Sequence, residues 1–371
     1  MALALYRKYR PKKFSDLLGQ ETNVEILKNA AKQDRIGHAY LFYGPRGTGK
    51  TTTARLIAKL LNCEKRNADP TFRETGEPCN ACRSCREMDA NASFDIVEID
   101  AASNRGIDEI REVKNAARTA PAGSAYKVYI IDEAHMLTPA AWNALLKTLE
   151  EPPRHAVFIL ATTEYEKLPA TITSRVQRFL FKKAPKKTII EKLRGIAKAE
   201  HISIDEPALE LVAAAAEGSF RDAESLLDQL HSRGAAIDLE TAERIIGRVG
   251  LARVHALAEC ILKNDLAGAL AYLETMAGEG HNPVQLTKDL IHYLRKVITL
   301  KANPNLEASF ASEMTDEEMR GVKNLAAYIT GAKHIPLLQA LISAYSEMRY
   351  SPFQTIPLEI ALMEKLGSVR E

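Results

Sequence analysis

The string AYLFYGPRGTGKTTTARLIAK (39–59) constrains this chain more than any other part of it. A short β-rich apolar run feeds directly into Gly44-Pro45-Arg46-Gly47-Thr48-Gly49-Lys50-Thr51, which satisfies G-x-x-x-x-G-K-[ST], and the residues beyond it read as helix. Strand, glycine-rich loop and helix in that order make a P-loop. The glycines let the backbone curl so that its N–H groups and the helix start surround phosphate oxygens. Lys50 then supplies positive charge at the β- and γ-phosphates and Thr51 a hydroxyl for Mg²⁺, and the expected nucleotide-binding stretch runs from Gly44 through Thr52. The competing reading is a glycine-rich turn with no ligand, which the preceding strand and a later acidic strand end disfavour.

Three more continuous apolar runs follow: FDIVEI (94–99), YKVYIID (126–132) and AVFILAT (156–162), each succeeded by a helix-length stretch. Such runs suit parallel strands covered on both faces, so residues 1–181 read as a doubly wound α/β domain. After KKAPKK (182–187) the strand signals stop. Residues 182–246 carry three helical patterns, and residues 247–371 about five more, broken at GEGHNP (278–283), KANPNLEAS (301–309) and SPFQ (351–354). Two or three domains are what a length of 371 residues allows.

With 50 Lys+Arg against 48 Asp+Glu there is no globally basic coating, so any nucleic acid must be met by a local patch. No apolar run approaches the ~20 residues that span a bilayer, and MALALYRKYRPKK lacks the long apolar core of a signal peptide. The expectation is a cytoplasmic protein without a membrane partner.

KVYIIDEAH ends a strand in Asp132 and Glu133, at the carboxyl ends where ligands of open α/β sheets sit. Asp132 fits a carboxylate on the Mg²⁺ side and Glu133 a base that polarises the attacking water, although the same pair can simply cap the next helix. Asp132-Glu133-Ala134-His135 also evokes helicases of the DEAH type, but those motors need two α/β domains. Four of the five cysteines, Cys63, Cys79, Cys82 and Cys85, crowd directly after the P-loop helix. Four thiolates match a closed, structural Zn²⁺ site; iron–sulfur ligation and unligated thiols are the alternatives, and Cys260 reads as a core residue. By spacing alone, Arg175 in TITSRVQRF and Arg221 in GSFRDAESLL read as surface ion pairs.

Taken together the motifs resemble the γ/τ subunits of bacterial DNA polymerase III, ATPases of the sliding-clamp loader. The resemblance rests on YRKYRPKKFSDLLGQE, the P-loop segment, the cysteine cluster, FDIVEIDAASNRGIDEIR, KVYIIDEAHMLTPAAWNALLKTLEEPP, FILATTEYEKLPATITSR and AAEGSFRDAESLLDQ. It implies an AAA+ P-loop domain with an inserted zinc module at 63–85, an all-α lid and an all-α collar through which five subunits assemble. It further implies sensor 1 at Thr163, with Thr162 beside it, and sensor 2 at Arg221. Arg175 resembles an arginine finger acting in a neighbour's ATP site, with Val176 where the family's Ser-Arg-Cys motif has cysteine. Tyr6, Arg10, Pro11 and Leu18 fall in the segment that lines the family's adenine pocket, and Ser103, Asn104 and Arg105 in its DNA-phosphate contact. The implied partners are δ- and δ′-like subunits, the sliding clamp and primer–template DNA. ATP, Mg²⁺ and Zn²⁺ are the implied cofactors. The tail that longer τ forms carry, which binds polymerase and helicase, is not expected within these residues. Two rivals are a non-hydrolysing δ′-like subunit, disfavoured by intact Lys50, Thr51, Asp132 and Glu133, and a Holliday-junction branch-migration motor, which predicts a winged-helix C-terminal domain.

Overall fold

The structure is a computed structural model that describes residues 3–234, 236–279, 281–329 and 334–367. It divides into two compact units, Met1–Ala184 with Ser219–Arg221, and Pro185–Gly218 with Asp222–Glu371.

The first unit is built on five parallel strands: β1 (Ala39–Tyr43), β2 (Ile96–Asp100), β3 (Lys127–Asp132), β4 (Ala156–Thr162) and β5 (Gln177–Leu180). Their order is β2-β3-β4-β1-β5. Alternate residues of a strand face opposite sides. Tyr40, Phe42, Ile130 and Ile159 accordingly enter one buried core with Ile57 and Leu60 of the P-loop helix Lys50–Leu61, while Leu41, Ile131 and Leu160 enter another with Leu145 and Leu149 of the helix Pro139–Glu150. The register aligns Asp100 with Asp132 and Tyr43 with Thr162, so the carboxyl ends of four strands open on one edge.

Sequence reading ended the sheet at 162, and the structure corrects this. β5 pairs with β1 from Tyr40↔Gln177 to Tyr43↔Leu180. Only Phe179 of its four residues is buried, so the segment offers no apolar run to recognise. The cysteine-bearing stretch between the P-loop helix and β2 folds into the short helices Glu64–Ala68, Pro70–Arg73 and Arg83–Asp89.

The second unit is helical. Its first part holds Lys186–Ala199, Glu206–Ala215, Phe220–His231 (from Asp222 on) and a fourth helix, Leu239–Ile246, that the sequence reading lacked. Beyond it the described residues form seven α-helices against about five expected. The chain does break at Asn303 within KANPNLEAS, but a short helix, Glu307–Glu313, restarts there and a separate one covers Asp316–Ala326. Side-chain caps set several starts: Asp205 accepts from Ala208 N (2.8 Å), Asp238 from Thr241 N (2.8 Å) and Thr315 from Glu318 N (3.3 Å). Leu257, Leu290, Leu294, Val297, Leu341 and Leu362 form one core. Glu318, nearly buried, is held by the ammonium groups of Lys186 (3.3 Å) and Lys296 (3.0 Å), which keep its carboxyl below the usual range although burial alone would raise it. Among the described residues no helix is long and apolar enough to cross a membrane.

Candidate active site

The P-loop leaves the end of β1 and turns into the helix Lys50–Leu61 within six residues. Gly44 (φ +135°) and Gly47 (φ +73°) take backbone conformations open to glycine, and both are also closely covered. A Cβ on Gly44 would stand 2.1 Å from the Phe181 carbonyl oxygen, and one on Gly47 1.8 Å from the Ser219 hydroxyl. Phe220 N donates to Gly47 O (3.1 Å), so Ser219–Arg221 lies directly against the loop. Inside the loop Thr48 Oγ1 donates to Pro45 O (2.8 Å), and the Lys50 ammonium donates to Gly44 O (2.8 Å) and Pro45 O (2.7 Å). Burial pushes the Lys50 pKa down, and the charges of Glu133 and Asp132 oppose that shift. The amides of Lys50, Thr51 and Thr52 open the helix, where the intrahelical pattern offers no acceptor, so they remain suited to an anion.

Thr51 Oγ1 donates to Asp132 Oδ2 at 2.7 Å, bridging helix start and β3 end. A hydroxyl and a carboxylate this close fit within one coordination sphere of a hard cation such as Mg²⁺. Glu133 follows in left-handed conformation (φ 46°, ψ 45°), a state that costs on the order of 1–3 kcal/mol for such a residue and that clusters at functional sites. Its surroundings fix it there. Thr163 donates to Glu133 Oε2 through both its N–H (3.3 Å) and its hydroxyl (3.0 Å). The nearly buried ring of His135 lies between Thr162 Oγ1 (2.9 Å from Nδ1), Glu133 Oε2 (3.4 Å from Nδ1) and Glu164 Oε1 (3.1 Å from Nε2).

Asp132, Glu133, Arg46 and Arg221 line a cleft of about 800 Å³ that extends past Arg55 and Glu98 along β2. Arg55 pairs with Glu98 at 2.6 Å. The N-terminal segment reaches the same region: the Arg221 guanidinium lies 5.1 Å from the Tyr6 ring centroid. Burial lowers the Arg10 pKa, and the positive charges of Arg55, Arg221 and Arg7 act in the same direction against Glu98. Pro11 is half-buried and Leu18 exposed, while the buried neighbour of the P-loop is Leu17.

Other residues singled out from the sequence are held by partners outside this constellation of Lys50, Thr51, Asp132, Glu133 and Thr163. Arg175 pairs with Glu150 (Nε to Oε1 2.7 Å) and donates to Thr171 O (2.6 Å) and Ser174 Oγ (3.1 Å). Ser103 Oγ donates to Asp100 Oδ2 (2.9 Å) and Asn104 Nδ2 to Asp100 O (3.2 Å), so both side chains are engaged in closing the turn after β2. Arg105 is exposed, and its carbonyl accepts from Thr138 N at 3.1 Å.

The sulfurs of Cys63, Cys79, Cys82 and Cys85 all lie within 4.8 Å of one another, and those of Cys79 and Cys85 are 3.9 Å apart. Tetrahedral Zn²⁺ with Zn–S near 2.3 Å requires about 3.8 Å between sulfurs, so the cluster is compatible with zinc. Cys79 N donates to Cys63 Sγ (3.3 Å), and the amides of Ala81 and Cys82 donate to Cys79 Sγ (3.4 and 3.2 Å). Hydrogen bonding from the Cys85 thiol draws the Cys63 pKa down to about 5, and the same bond pushes that of Cys85 up.

Sequence reasoning missed Glu164, Glu150, Arg55 and Leu17 as neighbours of these sites. His135 stood in view only as the last letter of a helicase-like string. Their partners lie far off in the chain, which local spacing does not reveal.

Family models match along almost the whole chain: DNA polymerase III, delta subunit (residues 19–185); DNA polymerase III clamp loader subunit, ATPase lid domain (188–235); and DNA polymerase III subunits gamma and tau domain III (237–368). The DNA polymerase III subunit tau of Bacillus subtilis is 42% identical over 97% of this chain and 62% of its own length. For the Escherichia coli subunit tau the figures are 37%, 98% and 55%, so the chain spans between half and two thirds of the length of these two relatives. A solved structure of the Bacillus subtilis clamp loader delta protein is 14% identical over 92% of this chain and 99% of its own, with a TM-score of 0.40, a likeness too distant to add to the fold described above.

Proposed function

The chain belongs to the γ/τ subunit family of DNA polymerase III, and from that premise we propose that it is an ATP-hydrolysing motor subunit of a sliding-clamp loader, working in the cytoplasm during DNA replication. The observation that carries the proposal is the convergence of Lys50, Thr51, Asp132, Glu133 and Thr163 at one sheet edge beside a P-loop. A non-hydrolysing subunit has no use for a base held in strained backbone by two donors. The absence of any named strand after Leu180 among the described residues disfavours the winged-helix domain of a branch-migration motor.

In this reading residues 1–181 are the ATPase domain, 182–246 the lid and 247–371 the collar that joins sibling subunits. Lys50 exchanges the carbonyls of Gly44 and Pro45 for phosphate oxygens when ATP enters. Thr51 and Asp132 hold Mg²⁺, which neutralises charge on the β- and γ-phosphates. Glu133 takes a proton from water, and Thr163 keeps its carboxylate aimed. Arg221 responds to ATP in its own subunit, Tyr6, Arg10, Pro11 and Leu18 face the adenosine, and Cys63, Cys79, Cys82 and Cys85 hold a structural Zn²⁺. Arg175 serves a neighbour's site. Its pairing with Glu150 is about one third exposed on the arginine side, and such pairs are worth about 0.2–1 kcal/mol, so releasing it costs little. Ser103, Asn104 and Arg105 meet DNA backbone, which explains binding without sequence preference and without a strongly basic chain.

The test is ATP hydrolysis by the assembled loader with and without clamp and primed DNA. Stimulation by the two together, abolished by Lys50→Ala in this chain, is the expected result. Hydrolysis that is indifferent to clamp and DNA, or that survives Lys50→Ala, would refute the proposal.

A further inference from the structure

Among the described residues, two hydrogen bonds join the cysteine module to the N-terminal segment. The Glu77 side chain, only 11% exposed, accepts from Phe14 N at 2.7 Å (Oε2) and from Ser15 N at 3.0 Å (Oε1), and the Lys28 ammonium lies 2.9 Å from Oε1. Glu77 stands two residues before Cys79, whose amide donates to Cys63 Sγ, so the cluster fixes the backbone that carries it. The preceding Gly76 (φ +66°) lets the module approach the helix Glu21–Lys32 closely: a Cβ there would stand 3.0 Å from Lys28 O.

On the far side of these bonds lies the ATP cleft. Phe14 is fully buried and Leu17 nearly so, both in the core shared with Leu56 and Ile57 of the P-loop helix. Leu17 Cδ2 is 3.6 Å from the position a Cβ on Gly49 would take, in contact with the last P-loop glycine. Among the described residues, the other hydrogen bonds of Lys12 to Leu17 that do not reach Glu77 are local, running from Lys12 N and Lys13 N to Asp16 Oδ2 and from Asp16 N and Leu17 N to carbonyls three residues back. Glu77 is thus the polar anchor from outside this segment. The segment borders the cleft with aromatic and hydrocarbon groups, since the Tyr6 ring lies 5.1 Å from the guanidinium of Arg221, a cleft-lining residue, and Leu17 packs at Gly49, whereas the charges suited to phosphates come from Lys50, Arg46 and Arg221. Packing surface of that kind serves the nucleoside.

We propose that the cysteine module buttresses the nucleoside wall of the ATP cleft, with Glu77 as the positioning residue through which it acts. The proposal rests on the nucleotide-binding reading of the cleft and gives the cysteine cluster a role in affinity as well as in folding. Loss of the two amide bonds frees the backbone at 14–15 and loosens the packing of Tyr6 and Leu17, so the nucleoside loses its wall, while Lys50 and the Thr51–Asp132 pair, which serve the phosphates, keep hydrogen bonds of their own.

Equilibrium binding of two probes to the full chain, Mg²⁺–ATP and inorganic tripolyphosphate, separates these parts. Glu77→Ala should weaken ATP about tenfold, as expected for losing hydrogen bonds to a charged group, and leave tripolyphosphate within about twofold. Glu77→Gln keeps an accepting oxygen and the side-chain volume, and should fall between Glu77→Ala and wild type for ATP. Lys50→Ala, the control for the cleft itself, should weaken both probes. Glu77→Ala that binds ATP as tightly as wild type while Lys50→Ala does not would overturn the buttress. Parallel loss of both probes in Glu77→Ala and Glu77→Gln would also overturn it, because a general collapse acts on the cradle too. Unchanged binding of both probes to Lys50→Ala would instead remove the nucleotide reading on which the buttress depends.

Discussion

Glu133→Gln separates the chemistry of the site from its architecture. Thr163 donates through N–H and hydroxyl to one oxygen, Glu133 Oε2, and an amide oxygen in that place accepts both bonds. Side-chain volume and the left-handed backbone are retained, so stability should stay within about 0.5 kcal/mol of wild type. The amide has no proton-accepting role, and loss of a positioned general base lowers rates by about 10²–10⁴, or roughly 3–5 kcal/mol of barrier at about 1.36 kcal/mol per decade. ATP affinity should be equal or slightly tighter, because a negative charge near the phosphates is gone. Single-turnover hydrolysis in the assembled complex, with equilibrium nucleotide binding in parallel, reads both quantities. Hydrolysis within about threefold of wild type would show that Glu133 is not the base. Lost binding would show that the carboxylate serves the fold or the phosphate cradle.

The cysteine cluster should hold one zinc per chain by elemental analysis, and Cys82→Ser should lose that metal and lower the unfolding midpoint; iron with sulfide, or no metal in wild type, would refute the zinc reading. Burial alone would raise the Asp95 pKa, but N–H donors of Ala122 (2.8 Å), Gly123 (3.0 Å) and Ser124 (2.9 Å) bring it below 3.8. A carboxyl depressed in the folded state stabilises above its unfolded pKa and loses that contribution as pH falls through the folded one. Asp95→Asn should therefore cost about 1–3 kcal/mol at neutral pH, with the gap from wild type shrinking in denaturant titrations carried below pH 3.8; a gap independent of pH would contradict this.

The first four strands and the P-loop were legible because each is a local signal: an apolar run bounded by a loop, or a fixed spacing of Gly, Lys and Thr. The Asp132-Glu133 pair was legible for the same reason. β5 was not, since Gln177 and Arg178 leave Phe179 as its one buried residue and its pairing with β1 is set by the sheet, not by its own composition. Extra helices in the second unit escaped because Asn303, Pro304 and Asn305 read as a long loop, whereas the residues after them pack on a core assembled from distant helices. Within the site, spacing named the acidic pair but not what aims it, because Glu133 meets Thr163 and His135 meets Glu164 only when β3 and β4 lie side by side. Arg175 with Glu150, and Glu77 with Phe14, are long-range pairs of the same kind.

The most direct measurement mixes two forms of the chain that the proposal expects to be inactive. On that proposal, Arg175→Ala subunits keep the P-loop but offer no finger, and Lys50→Ala subunits keep the finger but bind no ATP. An arginine supplied by a neighbour can contribute about 10³–10⁵ in rate while adding little to ground-state binding. In mixed assemblies, ATP on an Arg175→Ala subunit faces Arg175 of a Lys50→Ala neighbour, and hydrolysis should return. If mixed assemblies form and hydrolysis stays at the level of either variant alone, Arg175 is a partner of Glu150 and nothing more, and hydrolysis is not shared between subunits.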